Sequence, residues 1–124
     1  MKFSWVTINV KDYDKSMEFY TKIVGLSVDR LMSPNPKMKI AFLGSGETKV
    51  ELIFDDRGGE RTYSNDVCIG FEVPSLDSFL KELSAKGIQV ESGPFQPNPT
   101  IKFLYVLDPN GFRVQFLENI RPGK

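Results

Sequence analysis

The chain has 124 residues, 40% hydrophobic and 26% charged, which suits one globular domain and leaves little room for two independent cores. Sixteen Lys and Arg balance sixteen Asp and Glu, so the broad positive field of a nucleic-acid binder is absent and no nucleic-acid partner is expected. No apolar run approaches a membrane span, the alternating start MKFSWVTINV lacks a signal-peptide core, and the single cysteine, Cys68, cannot form an intrachain disulfide. The expectation is a cytoplasmic protein with no membrane partner.

In chain order, Trp5 to Val10 alternates, with Val6, Ile8 and Val10 on one face, and predicts a half-buried strand. Asp12 or Asp14 is suited to cap a helix, because a short acceptor satisfies early unpaired amides. Met17, Phe19, Tyr20, Ile23 and Val24 form its apolar stripe, and Gly25 ends it. Strands are predicted near residues 27–31, 38–43 and 49–54. The polar, glycine-bearing stretch DDRGGERTYSN then reads as a linker over about residues 55–65. A strand over 68–73 follows, and then a helix with Ser75 as cap and Leu76, Phe79, Leu80 and Leu83 at i, i+3, i+4, i+7. Gly87 closes that helix. Strands near 89–91, 101–107 and 112–117 complete the chain, the last two joined by the turn DPNG. The basic end RPGK is too short to define a patch.

The order βαβββ therefore occurs twice. At an offset of 63 residues WVTINV falls on CIGFEV, and PNPKMK (from Pro34) falls on PNPTIK (from Pro97). Chance could supply the shared hydrophobic letters; a repeated PNP at one constant offset argues for duplication. Two prolines fix an extended approach and withhold amide donors, so the PNP phrase suits a strand edge or loop entry and is expected to be architectural. Module 1 is expected over about residues 1–56 and module 2 over about 66–120, within one domain.

VTINVKDYDKSMEFYTKIVGL, KVELI, CIGFEVPSLDSF and DPNGFRVQF together resemble the vicinal oxygen chelate superfamily, which includes glyoxalase I, extradiol dioxygenases and bleomycin resistance proteins. The resemblance covers nearly the whole chain. It implies an α+β fold of two tandem βαβββ modules forming a curled, cup-shaped mixed β-sheet with flanking helices, often in a homodimer. Half-sheets also leave edges that a second chain can cover, so a homodimer is expected. Family enzymes hold a divalent metal in the cup, commonly through His, Glu, His and Glu at four strand positions. Here those positions carry Trp5, Glu51, Cys68 and Gln115, and the chain has no histidine. Trp has no lone pair to offer, and a Gln oxygen is a weak neutral donor, where zinc, nickel or iron(II) want imidazole, thiolate or carboxylate.

Alternation in the implied cup turns Trp5, Thr7 and Asn9 inward with Lys49 and Glu51, Cys68 and Gly70, and Arg113 and Gln115. Phe42, Phe103 and Tyr105 complete the wall. These twelve residues are the candidate ligand-binding set, and no metal ligand or cofactor is expected. Glu51 is the candidate catalytic acid or base. The competing expectation, which the sequence favours, is that Trp5 N–H, Gln115 and Arg113 hold Glu51 in a closed former metal site. Cys68 has no histidine to activate it and is expected to be a buried structural thiol. The expected function is a metal-free module that binds a small organic molecule the sequence does not identify. The alternative is a metal-dependent lyase, isomerase or dioxygenase of glyoxalase type with a non-standard ligand set around Glu51.

Overall fold

A computed structural model describes residues 1–121; residues 122–124 of the basic end lie outside it. The chain forms two compact units that divide between Thr62 and Tyr63. Each unit runs βαβββ, and the fold is α+β, as the sequence implies. No helix among the described residues is long and apolar enough to cross a membrane.

The first unit holds β1 (Trp5–Asn9), α1 (Tyr13–Glu18), a π-helical turn (Phe19–Ile23), β2 (Val28–Met32), β3 (Met38–Leu43) and β4 (Lys49–Asp55). Its sheet order is β1-β4-β3-β2; β1 runs parallel to β4 and the other pairs are antiparallel. One face is apolar: Ile8, Val10, Ala41, Leu43, Val50 and Leu52 alternate inward and are buried with Phe19 and Tyr20 from the helical segment. Asp12 caps α1, its side chain accepting from the Lys15 amide at 3.0 Å. The sequence predicts a plain helix up to Gly25, but its second half is wider. Val24 N–H donates five residues back to the Phe19 carbonyl at 3.0 Å, and the Thr21 hydroxyl donates to the Met17 carbonyl at 2.6 Å. Gly25, at φ 86°, then lets Leu26 N–H close the end on Tyr20.

The second unit holds β5 (Ile69–Glu72), α2 (Leu76–Ala85), β6 (Ser92–Asn98), β7 (Ile101–Leu107) and β8 (Arg113–Asn119), in sheet order β5-β8-β7-β6 with β5 parallel to β8. Leu76, Phe79 and Leu83 of α2 are buried, and the Phe79 and Phe116 rings sit 4.5 Å apart. Two acceptors meet the start of α2: Ser75 Oγ takes the Ser78 amide at 3.2 Å, and Glu118 Oε1 takes the Leu76 amide at 2.8 Å. The turn after β7 is built on Asp108, whose carboxylate accepts the Asn110 and Phe112 amides at 2.8 and 2.9 Å.

The strand expected near 89–91 is displaced. β6 begins at Ser92 and carries Pro94 and Pro97, which a sheet tolerates because β6 is an edge strand paired only with β7, with two register shifts. The repeated PNP phrase also acquires a reason. The first copy lies in the connection between β2 and β3, and the second runs from the last two residues of β6 into its turn to β7. Asn35 Oδ1 accepts the Lys37 amide at 2.9 Å, and Asn98 Oδ1 accepts the Thr100 amide at 2.8 Å. The asparagine builds the same side-chain turn twice, and the following proline has no amide to leave unpaired.

Candidate functional site

In the first unit, the face opposite the apolar core carries the sequence-predicted residues. Register pairs Trp5 with Lys49, Thr7 with Glu51, and Glu51 with Phe42, so five of them share one surface; Asn9, paired with Ile53, extends it. Glu51 lies on β4 between β1 and β3 and is 8% exposed. The Thr7 hydroxyl donates to Glu51 Oε1 at 2.5 Å, a short bond of the charge-assisted kind. Trp5 is 49% exposed, its ring edge-on to Phe42 at 5.3 Å. Lys49 shares the face but turns away: its Nζ donates to the Gly44 carbonyl at 2.7 Å and lies 3.8 Å from Asp29. Arg30, which the sequence reading did not single out, lies over the Phe42 ring at 4.8 Å.

In the second unit, Gly70 and Tyr105 flank Gln115 on either side in the sheet, Phe103 pairs with Leu117, and Arg113 with Leu107. The Gln115 amide donates to the Tyr105 hydroxyl at 3.3 Å. The Arg113 guanidinium sits 3.7 Å over the Tyr105 ring, donates to Ser92 Oγ at 3.2 Å, and lies 3.5 Å from the Glu91 carboxylate. Phe95 joins Phe103 and Tyr105, with ring centroids 5.6 and 6.4 Å away. With Gln96 and Pro97 these three rings line a shallow, open hollow of about 510 Å³. Sequence reasoning missed Phe95 because its neighbouring prolines hid the strand. Gly70 does not leave the open space the sequence suggests: the Gln115 and Leu117 side chains close over it, and a Cβ there would come within 2.9 Å of Gln115 Oε1 and 3.2 Å of Leu117 Cδ2.

Within the first unit, Glu51 takes its hydrogen bond from the Thr7 hydroxyl and not from the Trp5 N–H expected, because the parallel register of β1 on β4 sets that hydroxyl beside it; within the second unit, Gln115 donates to Tyr105 and Arg113 to Ser92. Cys68 is exposed rather than buried, since β5 begins one residue later and its side chain falls outside the packed face. The four positions at which the resemblance implies metal ligands therefore hold an indole, a carboxylate engaged by a hydroxyl, an exposed thiol and an amide engaged by a phenol. Among the described residues, no three His, Cys, Asp or Glu side chains gather in a group suited to a metal ion. These residues do not fit the His and Glu centre of the family enzymes.

Residues 2–116 match the family model described as Glyoxalase/Bleomycin resistance protein/Dioxygenase superfamily. The chain is 30% identical over 128 residues to a lactoylglutathione lyase of Haemophilus influenzae, covering 96% of this chain and 93% of that one. It is 28% identical over 135 residues to a lactoylglutathione lyase of Escherichia coli O157:H7, with coverage of 100% and 97%. Among solved structures, the trypanothione-dependent glyoxalase I of Leishmania major matches with a TM-score of 0.80 at 22% identity, over 95% of this chain and 86% of that one. TnmS3, an antibiotic binding protein from Streptomyces sp. CB03234, matches with a TM-score of 0.76 at 16% identity, over 96% of each chain, and like the Leishmania enzyme speaks to the fold alone. On the family model and the match to the Haemophilus protein, the chain belongs to the glyoxalase/bleomycin resistance protein/dioxygenase superfamily.

Proposed function

We propose that this family member is a small-molecule-binding protein that works without a resident metal. The observation that carries the reading is the state of Glu51: it is the one family-type ligand kept among the four positions, and one of its oxygens already takes the Thr7 hydroxyl. Aromatic side chains support it on both units, the half-exposed Trp5 edge-on to the buried Phe42 on the first and Phe95, Phe103 and Tyr105 on the second. Apolar and aromatic walls with a few placed polar groups are how small-ligand sites are made. A cytoplasmic homodimer is part of the proposal. Its support is the edge strand β2, where Val28, Leu31 and Met32 are exposed.

A second reading is favoured by the similarity to lactoylglutathione lyases over nearly the full length of both chains, together with the retained Glu51. In it the protein is a metal-dependent enzyme of glyoxalase type with a non-standard ligand set. An assay on the hemithioacetal of methylglyoxal and glutathione separates the two, run with and without added Ni²⁺, Zn²⁺ or Mn²⁺. The binding reading expects no turnover under any condition. Metal-dependent turnover that Glu51→Gln abolishes would establish the second reading instead.

A further inference from the structure

We propose that the Glu51 face of the first unit binds an organic cation, its ammonium or amidinium nitrogen against the carboxylate and its carbon frame on Trp5; this rests on the metal-free binding reading above. The charge balance around Glu51 is the argument. A carboxylate has about four acceptor positions, and the Thr7 hydroxyl is a neutral donor that fills one of them. Among the described residues no ion pair reaches Glu51. The two cations nearest in register are both committed elsewhere: Lys49 to the Gly44 carbonyl and Asp29, Arg30 to the Phe42 ring. A carboxylate this deep, without a positive partner, is an incomplete arrangement, because desolvation is offset only when an opposite charge and hydrogen bonds replace water.

The neighbouring surface selects the kind of cation. Trp5 is half exposed and presents the side-chain ring that attracts cations best, while Arg30 already covers Phe42. Among the described residues, a bare divalent ion would find no group of three acidic, thiolate or imidazole donors to hold it. A cation on a carbon frame gains from both the carboxylate and the ring. An anion would meet the Glu51 charge, and a neutral isostere would leave it unpaired.

Trp5 is the chain's single tryptophan, so its fluorescence reports this face directly. The test is a titration of the whole chain with benzamidinium, benzamide and benzoate, matched in ring and size, at constant ionic strength. The expected result is saturable change with benzamidinium, binding weaker by about tenfold or more with benzamide, which corresponds to about 1.4 kcal/mol, and none with benzoate. Glu51→Gln should erase the preference for the cation, and Glu51→Asp should keep it, which separates lost charge from lost folding. Equal binding of the three probes, preference for benzoate, no response to any of them, or an unchanged preference in Glu51→Gln would each overturn the inference. Binding of benzamide or benzoate to metal-free protein would leave the small-molecule reading standing, whereas metal-dependent turnover would remove that reading itself.

Discussion

Replacing Thr7 with valine keeps the shape of the side chain and removes the hydroxyl that Glu51 accepts from. Hydrogen bonds to charged groups contribute about 1.5–3 kcal/mol. Thr7 is exposed while Glu51 is nearly buried, so water can replace part of what is lost and the lower end applies. For a protein of this length, a loss of about 1.5 kcal/mol lowers the unfolding midpoint by roughly 6 °C. Thermal unfolding followed by circular dichroism at neutral pH measures it, with Thr7→Ser as the control that keeps the donor. Thr7→Ser should lie much closer to the parent than Thr7→Val does. A midpoint unchanged in Thr7→Val, or an equal drop in both variants, would refute the view that this hydroxyl is the carboxylate's support.

Gly70→Leu should displace the Gln115 side chain, since even a Cβ there comes within 2.9 Å of Gln115 Oε1; NMR of Gln115 should report loss of its bond to Tyr105. The face is exposed, so stability should change by less than the roughly 1–3 kcal/mol that overpacking costs in a closed core, and a larger drop in denaturant midpoint would count against an open face. The Arg57 guanidinium, hydrogen-bonded to Asp55 at 2.9 and 3.0 Å, holds that carboxyl down at about 2. Because the folded value is depressed, the stability it contributes is present above the ordinary carboxylate range and lost as pH falls toward 2. Carboxyl NMR should place Asp55 near that value and move it upward, toward the ordinary range, in Arg57→Gln, where the residue-57 amide still donates to it.

Local chemistry was the most legible part of the sequence. β3 and β7 have the bounds their apolar runs predict, Asp12, of the two aspartates suited to it, and Ser75 make the helix caps, and the turn falls at DPNG. What the sequence hid depends on contacts between distant segments. The π-helical turn at Phe19–Ile23 puts two neighbouring rings into the core, a packing outcome that helix propensity does not encode. β6 was concealed because proline argues against a strand until its place at an edge is known. The candidate face was legible as a set of alternating residues, but not its bonding. Thr7 meets Glu51 only because β1 lies parallel on β4 in one register, and no local pattern fixes that register. Cys68 departs from its expected burial for a smaller reason: the strand starts one residue late.

Metal content decides the central claim most directly. The purified chain would be loaded in turn with Zn²⁺, Ni²⁺, Mn²⁺ and Fe²⁺, desalted, and measured by elemental analysis against protein concentration, with Glu51→Gln in parallel. The account predicts far less than one ion per chain in every case, and no difference between the parent and the variant. One tightly held ion per chain that disappears in Glu51→Gln would contradict it.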